Sequence, residues 1–416
     1  MKKEMNLIGT LSACQICLRK NLETILPLGH QALTSSYLNK TELQNPELTY
    51  PLNFCRCPNC GLVQLDYIAE PSAAFPLNYS YRTGMTNMLI RNFRSLADLI
   101  IRDYNVKPGD LVIDIGSNDG TLLQGFKAKG MRVVGVEPTN MAEIANKNGI
   151  PTIQEFFSQK VARRIIAKQK KAKVIAMTNT FAHVNKLFEL VEGIKDLLTE
   201  DGIFVSESQY LLETVKKSQF DCIYHDHLRF YSLKPLIKLF SSFGMSIIDA
   251  ESIPAAGGSL RVYAQKGRKS MSQQAKKLLT QEKAAGLYDA KELKKFAQKA
   301  HAAKNELLKL LLECKKNGKK IVGIGSPARS NTLLSFCKID KHLLNYTCEK
   351  KGSPKIGLFT PGTHIPVVDE AILFKEQPEY ALMLSWHIGE ELMALMRKLG
   401  YKGKFIMPLP KPRIIS

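Results

Sequence analysis

Two groups of residues in this 416-residue chain have types and spacings suited to chemistry. The first is Cys14-Gln-Ile-Cys17 with Cys55-Arg-Cys57-Pro-Asn-Cys60, which places five of the nine cysteines within the first 60 residues. Each C-x2-C turn brings two sulfurs to one side of a tight loop, and two such turns can close a tetrahedral thiolate site for zinc. The expected ligands are Cys14, Cys17, Cys57 and Cys60. Cys55 could stand in for Cys57, but C-x2-C is the better knuckle geometry and leaves Cys55 as a spare or core thiol. Four closed thiolates make a structural site that folds a small module and does no chemistry itself. The second group is Phe220-Asp-Cys-Ile-Tyr224-His225-Asp226-His227-Leu-Arg229-Phe-Tyr231-Ser232, which holds two of the eight histidines. Histidine suits proton abstraction near neutral pH, and a carboxylate or phenol beside it can orient it or stabilise developing charge. A His-Asp-His metal site and a purely structural segment are the competing readings. Position and residue type alone do not say which residue is the base.

The elements that would position these groups follow an α/β rhythm. A helical pattern from about Met88 leads into the strand Leu111-Val-Ile-Asp114-Ile and the turn Gly116-Ser-Asn118-Asp119-Gly120. The next strand, Met131-Arg-Val-Val-Gly-Val, ends at Glu137, about 20 residues beyond the turn, where an acid can accept hydrogen bonds from ribose hydroxyls. Asp114-x-Gly116-x-x-x-Gly120 is not the G-x-G-x-x-G dinucleotide fingerprint. It is the acidic form associated with S-adenosylmethionine, a cation without a pyrophosphate. Phe156 and Phe157, after a short strand at Pro151 to Gln154, could flank an adenine or simply belong to the core. A fourth strand from Val174 runs into a loop with Asn179 and His183, facing the cofactor edge. His183 is open to either a functional or a structural reading.

Beyond the histidine-rich segment, Ala256-Gly-Gly-Ser-Leu-Arg261 reads as a glycine turn entering a strand, with Arg261 able to reach an anion. Residues 266 to 320 are lysine-rich and helical, with Leu293, Phe296, Ala297, Ala300, Leu307, Leu308 and Leu311 at helical spacing. The lysines are expected on the solvated face. Gly323-Ile-Gly325-Ser-Pro-Ala-Arg329-Ser-Asn331 then restarts strand, turn and helix. Arg329 there is expected near substrate phosphate. A scaffold lobe that covers the site is the alternative.

Composition narrows the setting. The chain is 44% apolar with a net charge of +21, which suits anionic partners without choosing among them. No apolar run approaches eighteen residues and no export leader is evident, so no membrane span is expected and the cytoplasm is the expected location. There, cysteines serve as metal ligands or reduced thiols rather than as a disulfide framework.

Together the residues resemble the zinc-containing sugar C-methyltransferases that act on nucleotide-linked keto-deoxysugars at C-3. The marks are the paired C-x2-C followed by Gly61-Leu-Val-Gln-Leu, Ile115-Gly-Ser-Asn-Asp-Gly-Thr-Leu-Leu, Gly135-Val-Glu-Pro, Phe181-Ala-His-Val, Tyr224-His-Asp-His, Gly257-Gly-Ser-Leu-Arg and Pro361-Gly-Thr-His-Ile-Pro. The likeness runs over nearly the whole chain. It implies an α/β protein whose central Rossmann-like class I methyltransferase domain (73–265) is flanked by a zinc-binding domain (1–72) and a second Rossmann-like α/β domain (266–416) for the nucleotide sugar. It implies His227 as general base, with Tyr224, Asp226 and His183 in the active site. Asp114, Gly116, Asn118, Gly120, Glu137, Phe157 and Asn179 fall at the S-adenosylmethionine edge, and Arg261, Arg329 and Asn331 are the candidate substrate contacts. Asp226 stands where relatives often carry glutamate and Ala256 where many carry histidine, so the sugar and the nucleotide stay open. A nucleic-acid methyltransferase or zinc-containing nucleic-acid-binding protein is the other class. It is disfavoured because no basic recognition helix and no stripe of interleaved aromatic and basic residues is evident. A monomer is the working expectation.

Overall fold

The computed structural model describes residues 8–76, 82–85 and 87–416. The opening residues 1–7, part of the stretch read above as carrying no export leader, lie outside the described residues. Among those described, no helix is long and apolar enough to cross a membrane.

The centre is a seven-stranded sheet. Leu111–Ile115, a wholly buried Leu-Val-Ile-Asp-Ile run, lies between Arg132–Val136 and Ala172–Thr178, and all three run parallel. Such apolar strands are stable only with both faces covered. Thr152–Ile153 extends the sheet on one side and Leu198–Gln209 on the other, still parallel. Ser259–Lys266 then inserts antiparallel between Leu198–Gln209 and Met245–Ile253. Helices Asn87–Asp103 and Thr121–Lys127 pack together on one face, and Gln159–Gln169 and Leu187–Leu197 pair with each other elsewhere on the sheet.

A second sheet of six strands follows in the last hundred residues. Val367–Asp369, Thr347–Glu349, Ile321–Ile324, Tyr380–Met383 and Lys404–Met407 are parallel, and Arg413–Ile415 closes the edge antiparallel. The two sheets are joined by Gln273–Ala284 and the 27-residue helix Ala290–Lys316. That helix buries Leu293, Phe296, Ala297, Ala300, Ala303, Leu307 and Leu311 at three- and four-residue spacing.

The N-terminal module has a four-stranded antiparallel sheet in the order Glu23–Gln31, Tyr50–Arg56, Val63–Leu65, Arg229–Phe230. Its fourth strand comes from far along the chain, out of the histidine-rich segment. The long helix covers the same sheet, with the Phe54 and Phe296 rings 5.7 Å apart and Arg56 donating to the Tyr288 carbonyl. One apolar core consequently runs through all three layers.

Candidate functional site

The zinc knuckles come first because they frame the rest. The Sγ atoms of Cys14, Cys17, Cys57 and Cys60 all lie within 4.8 Å of one another, with Cys14–Cys60 at 3.5 Å and Cys17–Cys57 at 3.4 Å. A tetrahedron with metal–sulfur bonds of about 2.3 Å has sulfur–sulfur edges of about 3.8 Å, so this set fits zinc after small adjustments. The Ile16 and Cys17 amides both point at the Cys14 sulfur, 3.4 Å away, as a tight knuckle requires. Cys55 lies outside the cluster beside Thr24 Oγ1.

The cofactor edge is built by the turn after Leu111–Ile115. Gly116 has φ +75°, and a Cβ there would sit 2.4 Å from the Thr180 side chain, so only glycine lets the two loops meet. Glu137 ends the adjacent strand and accepts from the Asn118 amide at 3.0 Å through Oε2 and from the Thr139 amide and hydroxyl through Oε1. Asp114 is buried behind the turn, with Oδ1 lacking any partner among the described residues. Burial, with Glu137 nearby, pushes its carboxyl up to about 8. Residues 82–85 clamp the turn from outside: the Arg82 Nε and the Gly84 amide donate to Asp119, and the Thr83 amide donates to Asn118 Oδ1. A buried acid with one unpartnered oxygen behind a glycine turn is favoured in its charged form by a cationic ligand, so these residues fit S-adenosylmethionine.

The third group gathers near the loop that follows Ala172–Thr178. His227 Nδ1 lies 2.8 Å from the Cys222 carbonyl, which can only accept, so Nδ1 carries the proton and Nε2 is left with its lone pair. The His227 ring is 4.1 Å from the Tyr224 ring and 5.1 Å from His183, and His183 stacks on Phe75. Burial lowers His227 to about 4 against the weaker opposing effect of the Cys222 carbonyl. Burial, then the neighbouring His227 and Arg229, hold His183 well below the ordinary histidine value. Both imidazoles are neutral at pH 7. Asp226 is buried with Oδ1 unpartnered among the described residues, and desolvation pushes it up to about 7. His225 turns the other way, with Nε2 3.2 Å from the Pro51 carbonyl in the N-terminal sheet.

Three family models match in sequence. "Putative zinc binding domain" matches residues 14–75, "Methyltransferase domain" matches 88–250, and "C-methyltransferase C-terminal domain" matches 254–410. The C-methyltransferase NovU of Streptomyces niveus is 29% identical over 415 residues, covering 99% of this chain and 98% of NovU. Together these matches support an S-adenosylmethionine-dependent C-methyltransferase. Solved structures similar to this C-methyltransferase include an S-adenosylmethionine-dependent methyltransferase from Clostridium acetobutylicum, 13% identical, TM-score 0.35, covering 44% of this chain and 97% of that one. The magnesium protoporphyrin IX methyltransferase of Synechocystis with bound SAH is another, 17% identical, TM-score 0.33, covering 43% of this chain and 83% of that one.

Several expected site residues of this C-methyltransferase are engaged elsewhere. Arg261 is not left open for a substrate anion. Its strand lies between two others, directly opposite Glu207 on one side and Glu251 on the other, and its guanidinium donates to both and to Asn92. Arg329 is spent on Asp221: Nε reaches Oδ2 at 2.7 Å and Nη2 reaches Oδ1 at 2.9 Å, with Gln219 Oε1 also accepting from Nη2. Asn331 donates to the Thr34 carbonyl and the Tyr37 hydroxyl of the N-terminal module. Phe157 lays its ring on Gly193, where a Cβ would be 3.0 Å away, so it packs against the core, while Phe156 is exposed. Asn179 takes φ 56°, and its amide donates to the Glu207 carbonyl, which ties the fourth strand's loop to the fifth strand.

Sequence reasoning passed over Asp221, Arg229, Phe75 and Trp386. Arg229 is buried on the strand shared with the zinc module and donates to the Val184 and Asn185 carbonyls, so it holds the loop that carries His183. Trp386 donates Nε1 to Asp221 at 2.7 Å. An arginine directly before two aromatics in Arg229-Phe-Tyr231 was a readable signal. Asp221 and Trp386 are 165 residues apart, with no spacing pattern to link them.

Proposed function

We propose that this enzyme methylates a carbon next to the ketone of a nucleotide-diphosphate-linked 4-keto-deoxysugar, at C-3, with His227 as the general base. The observation that carries the reading is the His227 tautomer. Nδ1–H is committed to the Cys222 carbonyl, which leaves the Nε2 lone pair to accept on a neutral ring beside a second neutral histidine and a tyrosine. S-adenosylmethionine, when bound, supplies an electrophilic methyl on a sulfonium. The chain's own residues have to make a carbon nucleophilic and keep water out. A ketone acidifies the adjacent C–H, Nε2 of His227 takes that proton, and the C–H electron pair passes into an enolate. The buried Asp226, held as the neutral acid below about pH 7, and Tyr224 are the O–H groups closest in sequence to the base for donating to the enolate oxygen.

The nucleotide is assigned to the second sheet, with the three-part division at 1–72, 73–265 and 266–416. Gly323-x-Gly325 forms a second strand-to-helix turn, and the acid at the end of the next strand, Glu349, accepts from the Ser326 amide at 2.7 Å. This repeats the bond from Asn118 to Glu137 in the first sheet. Lys355 and Tyr37 meet at the same turn, both bonded to the Ser326 carbonyl. They offer a cation and an aromatic ring beside a turn able to take a phosphate and a ribose.

The test is mass spectrometry of a panel of nucleotide-linked 4-keto-deoxysugars incubated with enzyme and S-adenosylmethionine, with a parallel incubation in deuterated water. A gain of one methyl, with exchange at the carbon beside the ketone, is expected. Donor binding with neither methylation nor exchange across the panel overturns the substrate assignment, and a salt-dependent shift of random oligonucleotides would then favour nucleic acid.

A further inference from the structure

We infer that Asp221, Arg329 and Trp386 form a positioning cluster through which the second α/β sheet holds the His227 imidazole in its working orientation. The inference rests on the reading of His227 as base. It deepens that reading by assigning the residues that aim it.

Among the described residues, the hydrogen bond that orients the His227 ring is the one from Nδ1 to the Cys222 carbonyl at 2.8 Å. That carbonyl belongs to Phe220–Cys222, a single turn of 3-10 helix, which has too few internal bonds to be rigid on its own. The turn is held on one side by Thr214, which accepts from the Gln219 amide and meets the Cys222 sulfur, and both Asp221 oxygens are gripped from the second sheet's side. Both Asp221 oxygens are used: Oδ1 accepts from Arg329 Nη2, and Oδ2 accepts from Arg329 Nε and from the Trp386 indole. Arg329 Nη2 also holds Gln219 Oε1, and Gln219 passes the contact on to the Gly257 carbonyl. The Phe220 ring meets Phe336 edge-on at 5.2 Å, and the Ile223 carbonyl accepts from Thr332. Arg329, Thr332 and Phe336 share the helix Ala328–Cys337, one turn apart on one face.

Residues 219, 220, 221 and 223 are therefore fixed to that helix or to Trp386, and residue 222 gives its carbonyl to the base. Asp221 is wholly buried and Arg329 nearly so. A buried carboxylate with a two-point guanidinium and an indole donor is a stiff arrangement, because any displacement leaves a charge unpaired in a dry site. The guanidinium carbon also lies over the Trp386 ring, 5.2 Å from its centre. The same geometry removes Arg329 from the substrate's phosphate, since Nε and Nη2 are already occupied. Helix Ala328–Cys337 starts directly after the turn assigned to the nucleotide, so the element that meets the nucleotide also aims the base.

Two variants test the cluster in the full-length, zinc-loaded protein. Trp386→Phe removes one donor to Asp221 and keeps an aromatic face under Arg329. Arg329→Lys keeps the charge and loses the two-point geometry. With the acceptor found in the panel above, kcat is expected to fall about tenfold in Trp386→Phe and about a hundredfold in Arg329→Lys, while KM for acceptor and donor stays within about twofold. The second readout needs no substrate. Two-bond 1H–15N correlation of histidine-labelled protein should show His227, assigned by its loss in His227→Ala, as the Nδ1–H tautomer in the wild type and as an averaged tautomer in both variants.

A rise in acceptor KM with unchanged kcat would make Arg329 a substrate ligand and overturn the inference. So would unchanged kinetics with an unchanged His227 tautomer. If Arg329→Lys does not fold, Trp386→Phe decides. If His227→Ala keeps its turnover, the base reading falls and the positioning cluster falls with it. If His227→Ala is inactive while both variants behave as wild type, the cluster alone is refuted.

Discussion

Asp226→Asn should gain stability relative to the wild type as the pH rises from 5 to 8. Asp226 is buried, its Oδ1 has no partner among the described residues, and desolvation raises its carboxyl from 3.8 to about 7. The sign follows from proton counting. Between 3.8 and about 7 the folded chain holds a proton there that the unfolded chain has released, so the folded state loses ground as pH rises through that window. With about 1.4 kcal/mol per pH unit, the penalty is nil well below 3.8, about 2 kcal/mol at pH 5 and about 4 kcal/mol at pH 8. An asparagine carries no such penalty. It brings an unpaired amide costing about 1–3 kcal/mol, which does not vary with pH. The pH-independent part cancels when the two pH values are compared, leaving about 2.5 kcal/mol as the expected gain in relative stability of Asp226→Asn between pH 5 and pH 8. Urea unfolding of both proteins at the two pH values measures it. Equal differences at pH 5 and pH 8, within about 0.5 kcal/mol, would show that Asp226 is ionised and hydrated in the folded protein and would refute the reasoning.

Cys57→Ser should lose zinc and lower the unfolding midpoint, whereas Cys55→Ser should keep one zinc per chain by metal analysis; zinc loss in Cys55→Ser instead would mean that the ligand set is wrong. Arg261→Ala strips the partner from the buried Glu207 and should cost about 3–5 kcal/mol in unfolding experiments; a loss below about 1 kcal/mol would show that water reaches the cluster. His227→Ala should abolish turnover and leave zinc content and donor binding intact, and near-wild-type activity would eliminate it as base. Because burial holds His227 near 4, it stays unprotonated down to that pH, and the acid limb it sets in kcat/KM should fall near pH 4; a limb at or above the ordinary histidine value of about 6.5 counts against the buried, neutral base.

What the sequence made legible was local. The run Leu111-Val-Ile-Asp-Ile, the Gly116 turn and the acid at 137 sit within one supersecondary unit, so their spacing alone specifies a strand, a turn and a neighbouring strand. The cysteine knuckles are legible for the same reason, since each turn spans four residues. The arginines show where this stops. Arg261 looked free because its strand neighbours in sequence are apolar and its glycine turn is exposed to inspection. Its partners are set by strand register, Glu207 on one flank and Glu251 on the other, and register across an inserted antiparallel strand leaves no mark in the sequence. Arg329 followed a glycine turn and so looked like an anion ligand, but the Asp221 that takes it lies 108 residues away on another sheet's loop. The strand Arg229–Phe230 was hidden in the same way, being two residues long and paired with a module at the other end of the chain.

These long-range contacts explain why a zinc module that does no chemistry belongs with this active site. Gln15, inside the first knuckle, donates from its backbone to Gln64 and from its side chain to the Leu228 carbonyl, one residue past the base. Val63 and Gln64 pair with Phe230 and Arg229, Pro51 receives His225, and Phe75 stacks on His183. The segment 219–231 is thus held by the second α/β sheet at its start and by the zinc module along its length. Neither grip arises within the middle sheet, which supplies the cofactor edge and the loop bearing His183. A histidine packed between three layers in this way is partly withdrawn from solvent, and that desolvation is what keeps it neutral and able to accept a proton at pH 7. Loss of zinc should therefore reach the base through Gln15 and Leu228 before it reaches the donor site, where Glu137 and Asp114 sit on the middle sheet and Glu137 is bonded to that sheet's own turn.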